Sequence, residues 1–93
     1  MASALMTTVS LEGRDPGEAE KILNDQVIPT VKALPGFQRG VWVRSADGTK
    51  GVAIVVFDSE DDAKAAQAGM DSMRPADAPS ITSSEICEVS GLA

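Results

Sequence analysis

The 93-residue chain has no histidine and no tyrosine, so the residues able to do chemistry are few and can be weighed singly. Trp42 is the one tryptophan. Its indole can stack on a flat ligand and donate a hydrogen bond, or it can anchor the packing between two layers. Arg44 follows two residues later, the spacing that puts two side chains on one face of a strand. A guanidinium there can hold an anionic or enolate oxygen, or stand solvated at a strand end. Gln38 and Phe57 fall on the same face when the surrounding hairpin is paired through its turn. Trp42, Arg44, Gln38 and Phe57 are therefore the candidate ligand-binding residues, and none is assigned a catalytic role.

Other reactive types are explained more simply. Cys87 is the only cysteine, and with no histidine to activate it, it reads as a small buried hydrophobe. Glu60, Asp61 and Asp62 are consecutive, point in different directions on a helix, and suit its positive end better than they suit a metal. Met70 and Met73, at helical spacing, read as core, and Asn24 as an exposed neighbour of an apolar stripe. There is no cysteine–histidine cluster, no phosphate-binding loop and no dinucleotide fingerprint. No metal and no cofactor are expected.

Composition narrows the partners. A formal net charge of -6 argues against nucleic acid and against an anionic membrane surface. No apolar run has membrane-spanning length, and the stretch from Met1 to Leu11 lacks the basic and apolar regions of a signal peptide. A cytoplasmic location is expected. The length suits one domain, residues 1–93, with a modest core.

The elements that must position Trp42 and its neighbours centre on residues 37–58. Two apolar runs flank Asp47-Gly48, which predicts a hairpin with a two-residue type I′ turn. Ser45 then opposes Lys50, Val43 opposes Val52, Trp42 opposes Ala53 and Val41 opposes Ile54. One face carries Phe37, Val41, Val43, Val52, Ile54 and Val56. The other carries Gln38, Gly40, Trp42, Arg44, Gly51, Ala53, Val55 and Phe57. The aliphatic first face is expected to lie under helices, and the Trp42 face to remain uncovered. Gly40 and Gly51 either mark bulges or leave room beside Trp42.

Upstream, Leu5, Thr7, Val9 and Leu11 alternate with polar residues as a first strand. Asp15-Pro16-Gly17-Glu18 predicts a helix start, followed by a stripe of Ala19, Ile22, Leu23, Val27, Val31 and Leu34. Pro29 predicts a kink or a short second segment, because it removes the hydrogen bond to the Asp25 carbonyl. Pro35-Gly36 ends the helix. Downstream, Ser59 caps a second helix with Ala63, Ala66, Met70 and Met73 on its buried side. Residues 74–79 form a loop, and a last strand runs from about Ile81 to Val89. The order βαββαβ predicts a ferredoxin-like α+β fold: a four-stranded antiparallel sheet with two helices on one face. The uncovered face predicts a two-fold homodimer.

The run from Ile28 to Phe37, the strand with Trp42, and Val55-Val56-Phe57-Asp58-Ser59-Glu60-Asp61-Asp62-Ala63 together resemble the dimeric α+β barrel superfamily. Within it, the likeness is to antibiotic biosynthesis monooxygenase-type domains. The resemblance covers nearly the whole chain and implies a homodimer, with a cavity between sheet and helices or between sheets. It also implies, among several family activities, oxidation of a small aromatic substrate without metal or flavin; the alternative is a non-catalytic ligand-binding or dimerisation module. Haem-degrading members use a histidine and the polyketide oxygenases commonly a tyrosine, and this chain has neither.

Overall fold

The computed structural model describes residues 2–75 and 78–93, without the side chains of residues 71 and 73. The sequence-based places of Met73 in the helix stripe and of Ala76-Asp77 in the loop thus lie outside the described residues. The elements are β1 (Ser3–Ser10), α1 (Pro16–Ile22), a π turn (Leu23–Val27), α2 (Ile28–Lys32), β2 (Phe37–Arg44), β3 (Lys50–Phe57), α3 (Glu60–Ala68), α4 (Met70–Met73) and β4 (Ile81–Glu88). The strands form one antiparallel sheet in the order β2-β3-β1-β4, the ferredoxin-like arrangement.

Local chemistry places the helices where the sequence does. Asp15 caps α1 by accepting the Glu18 N–H at 3.1 Å, with Pro16 in the first turn. Ser59 caps α3 by accepting the Asp62 N–H at 3.1 Å. Pro29 does not break the first helix. The preceding turn widens to a π turn, in which the Ile28 N–H reaches the Leu23 carbonyl, and α2 continues from there. Widening is one way a helix accommodates a missing donor and the bulk of a proline ring.

The hairpin register is as expected: Val41 opposes Ile54, Trp42 opposes Ala53, and Val43 opposes Val52. The turn is different. Only Gly48 has positive φ (75°), Asp47 does not, and the Gly48 N–H donates to the Ser45 carbonyl. A type I′ turn would need positive φ at both central residues. Here the Asp47 side chain does the ordering instead: it accepts the Ser45 hydroxyl at 2.7 Å, the Thr49 N–H at 3.0 Å and the Thr49 hydroxyl at 2.8 Å. Those bonds, the Thr49 N–H foremost and then the two hydroxyls, lower the Asp47 carboxyl from 3.8 to about 2. A depressed carboxylate contributes fully above its ordinary value near 3.8, and the contribution is lost as pH falls through about 2. A carboxyl-carbon NMR titration should therefore give Asp47 a midpoint near 2, with the turn amides moving in step. A midpoint at an ordinary aspartate value would mean that the turn is not held by this side chain.

The sheet's two faces are exchanged relative to the sequence-based expectation. Val55 and Phe57 belong to the buried core with Leu5, Ala63 and Ala66, and Trp42 packs against it. The helices thus cover the Trp42 face. Val41, Val43 and Ile54 lie on the uncovered face, 51%, 53% and 38% exposed. The aromatic pair decides the matter: Phe57, at 1% exposure, and Trp42 carry the largest apolar surfaces, and the short side chains of Ala63 and Ala66 let α3 close over them. A second correction concerns Phe37. The β2–β3 ladder shifts between Phe37 and Arg39, so Phe37 opposes Phe57 and joins the helix-side core, leaving Gln38 as the extra residue. Gly40 and Gly51 are not at this bulge.

Candidate ligand-binding site

A cavity of about 270 Å³, open on one side, lies between the sheet and the helical layer. Its floor is the helix-facing side of three strands. Leu5, Thr7 and Val9 come from β1, Trp42 and Arg44 from β2, and Ala53, Val55 and Phe57 from β3. The roof comes from the stripe Ala19, Ile22, Leu23, Val27 and Val31, with Ala66 and Met70 behind it. The space exists because small residues face one another. Gly51 and Ala53 stand opposite Arg44 and Trp42 in the floor, and Ala19 and Ala66 are in the roof. No residue of α1, the π turn or α2 is fully buried, whereas α3 seats Ala63 and Ala66 in the core.

Trp42 is half-buried, and its ring lies back along its own strand over Gly40. A Cβ on Gly40 would fall 2.7 Å from Cη2 and 2.8 Å from Cζ3 of the indole. Gly40 therefore leaves room for the ring, and the indole lines the cavity instead of filling it. Arg44 stands at the edge of the same space. Its Nη2 lies 3.6 Å from Glu20 Oε1, an exposed pair that joins β2 to α1. Such a pair contributes little to stability, though it balances the charge of Arg44.

Of the four candidates, the structure gathers Trp42, Arg44 and Phe57 around one cavity. Gln38 is excluded. It occupies the bulge, is exposed, and donates from Nε2 to Asp58 Oδ1 at 2.7 Å. Asn24 is exposed and donates to the Glu20 carbonyl. Cys87 is half-buried opposite Ala4, on the face away from the helices. Among the described residues, no group of three or more acidic, histidine or cysteine side chains is placed to hold a metal. Among the same residues, no helix is long and apolar enough to cross a membrane.

Two wall residues were missed from the sequence. Thr7 is buried and donates its hydroxyl to the Met70 sulfur at 3.7 Å, a weak bond. Arg74, in the segment after α4, also lines the cavity. Its Nη1 donates to the Pro79 carbonyl at 3.0 Å, and its Nε is buried without a hydrogen-bond partner among the described residues. The only sequence signal for Arg74 was a cation directly following an apolar helical stripe, and the two prolines after it, Pro75 and Pro79, pointed to a plain loop. The cavity wall is mostly apolar, with Thr7, Glu20, Arg44 and Arg74 as its principal polar groups.

The architecture has clear counterparts among solved structures. A variant of SnoaB, a cofactor-independent oxygenase from Streptomyces nogalater, aligns over 98% of this chain and 95% of its own, with a TM-score of 0.73 and 18% identity. A Chloroflexus aurantiacus structure provisionally assigned as an antibiotic biosynthesis monooxygenase aligns over 100% and 98%, with a TM-score of 0.66 and 16% identity. The monooxygenase ActVA-Orf6 of Streptomyces coelicolor, solved with the ligand nanaomycin D, aligns over 99% and 89%, with a TM-score of 0.58 and 16% identity. No family model and no curated protein sequence matches the chain. The fold is that of the antibiotic biosynthesis monooxygenase-like structures, as the resemblance in residues 28–37 and 55–63 implies.

Proposed function

We propose that the chain binds a small aromatic molecule in the cavity, against Trp42, and promotes its reaction with dioxygen. The observation that carries this reading is the hollow itself: an apolar space bounded by an indole and by guanidinium groups, in a chain short enough that filling it would be the simpler way to gain stability. The neighbours in fold, one a cofactor-independent oxygenase and one a monooxygenase solved with nanaomycin D, support it. In such chemistry the substrate supplies the electrons. An enolisable CH2 gives a proton to water, the carbanion passes its electrons to dioxygen, and a C–O bond forms to a hydroperoxide that takes up a proton. Loss of water by cleavage of its O–O bond leaves a ketone, so one oxygen atom stays in the product and the other leaves as water. A cation near the developing oxyanion lowers the barrier by roughly 3 kcal/mol in a dry site.

Anthrone, an enolisable tricyclic ketone, is a suitable probe. Oxygen uptake above the spontaneous rate, saturable in anthrone and lost in Trp42→Ala, is the expected result. Saturable quenching of Trp42 with no oxygen uptake would reject catalysis of this kind. It would leave the second reading, a non-catalytic binding module, which the mostly apolar wall favours.

Pairing of two copies belongs to the same proposal. Val41, Val43 and Ile54 form an exposed aliphatic strip on the face without helices, and the same face of a second copy covers it by two-fold symmetry. Only monomer in sedimentation at micromolar concentration would sink that part.

A further inference from the structure

The proposed reaction begins as a CH2 group gives its proton to water, and a placed side chain can carry the proton there. Few groups qualify. The chain has no histidine and no tyrosine, and Cys87 stands on the other face of the sheet. Among the described residues that line the cavity, Glu20 is the one carboxylate. It comes from α1 in the roof, and its Oε1 lies 3.6 Å from Nη2 of Arg44, on β2 in the floor. The Glu20 side chain is 64% exposed and that of Arg44 41%. Side chains that line a cavity and are also open to solvent stand at its opening. The carboxylate is therefore placed between the interior of the cavity and water.

The pairing with Arg44 bears on what the carboxylate can do. Proton transfer to a positioned side chain contributes about 10²–10⁴-fold to a rate. A charged carboxylate has several acceptor sites, so one contact to a guanidinium leaves others open. When it takes a proton from carbon, its negative charge passes to the ligand. The Arg44 guanidinium is permanently charged and already beside the carboxylate, so it stands near the negative charge before and after the transfer. A cation placed in advance has little to reorganise as that charge moves.

We propose that Glu20 is the proton acceptor of the cavity and that Arg44 holds the anion formed beside it. The inference rests on the reading of the cavity as an oxygenase site and adds the residue that starts the reaction. A C–H bond of the enolisable CH2 breaks, its proton joins a Glu20 carboxylate oxygen, and its electron pair stays on the ligand as a carbanion delocalised to the carbonyl oxygen. Glu20 then passes the proton to water at the opening, which restores the carboxylate. The ligand lies with its CH2 toward the opening and its rings along β3 toward Phe57, which lines the cavity six residues beyond Gly51.

Without oxygen this step can be followed alone, as exchange of the anthrone CH2 hydrogens for deuterium in D2O, read by proton NMR. The wild-type chain is expected to speed the exchange above the spontaneous rate, saturably in anthrone. Glu20→Gln should slow the protein-dependent exchange by at least about a hundredfold. Quenching of Trp42 by anthrone should stay within about twofold in that variant, which reports an intact cavity. Glu20→Ala should lose the exchange as well and regain at least about tenfold of it on addition of formate, a rescue that a merely structural role would not give. Arg44→Gln should slow the exchange by at least about tenfold, and an unchanged rate removes Arg44 from the step. Full exchange in Glu20→Gln, or no rescue of Glu20→Ala by formate, overturns the role of Glu20. Oxygen uptake by the wild type with no protein-dependent exchange also overturns it and leaves the oxygenase reading standing. Absence of both exchange and uptake overturns this inference and that reading together.

Discussion

Val55→Asp is expected to leave little folded protein, whereas Ile54→Asp, one residue away, should fold normally. Val55 is 5% exposed and packs in the core with Leu5, Phe57, Ala63 and Ala66, under the helices. A carboxylate there sits in an apolar cluster and either stays charged or protonates, at a cost in both cases. Penalties of this kind run to about 4 kcal/mol or more, against a total stability of about 5–10 kcal/mol for so small a domain. Ile54 points to the opposite face and is 38% exposed, so its replacement should change folding stability by no more than about 1 kcal/mol. Its effect should appear instead in assembly. Circular dichroism melts and sedimentation of the two variants side by side give the answer. A wild-type melt for Val55→Asp would mean that the sheet presents its other face to the helices.

Gly36→Ala is expected to cost about 2–3 kcal/mol. Gly36 sits at φ 78°, and a Cβ there would collide with the carboxylate of Asp62. That carboxylate accepts the Ser59 hydroxyl at 3.0 Å within the cap of α3, so pushing it aside disturbs a second element. The Gly36 carbonyl also accepts the Asp58 N–H at 2.8 Å, which ties the end of β3 to the stop after α2. The left-handed backbone alone accounts for about 1–2 kcal/mol and the damaged cap for about 1 more. For a chain of this length the melting temperature should fall by roughly 10–20 °C. Adding Asp62→Ala to Gly36→Ala removes the collision. The double variant should therefore lose less than the sum of the two single variants. Strict additivity would mean that the two residues do not meet.

The hairpin pairing and both helix starts were legible because they depend on near neighbours. Asp47-Gly48 centres the turn whichever turn type forms, and the caps at Asp15 and Ser59 need only the next three residues. The covered side of the sheet was not legible from the strands. Both faces of β3 are apolar, so period-two alternation assigns no inside, and the choice falls to whichever face holds the larger side chains against the alanines of α3. Gln38 illustrates the same limit. One inserted residue before Arg39 takes it out of the cavity and carries Phe37 into the core, and nothing in the local pattern marks a bulge there. Trp42, Arg44 and Phe57 met around one space because their shared face depends only on the pairing. Arg74 reached it through a loop, where spacing carries no directional information.

The unequal seating of the helices has a consequence in time. The segment from Pro16 to Lys32 rests on a hollow and buries no residue completely, while α3 is locked by Ala63 at 0% exposure and Ala66 at 5%. Local opening draws on the least-packed elements. The first helical segment, roof of the cavity, is thus expected to exchange its amides with solvent sooner than α3, and each opening of it widens the way by which a bound molecule enters or leaves.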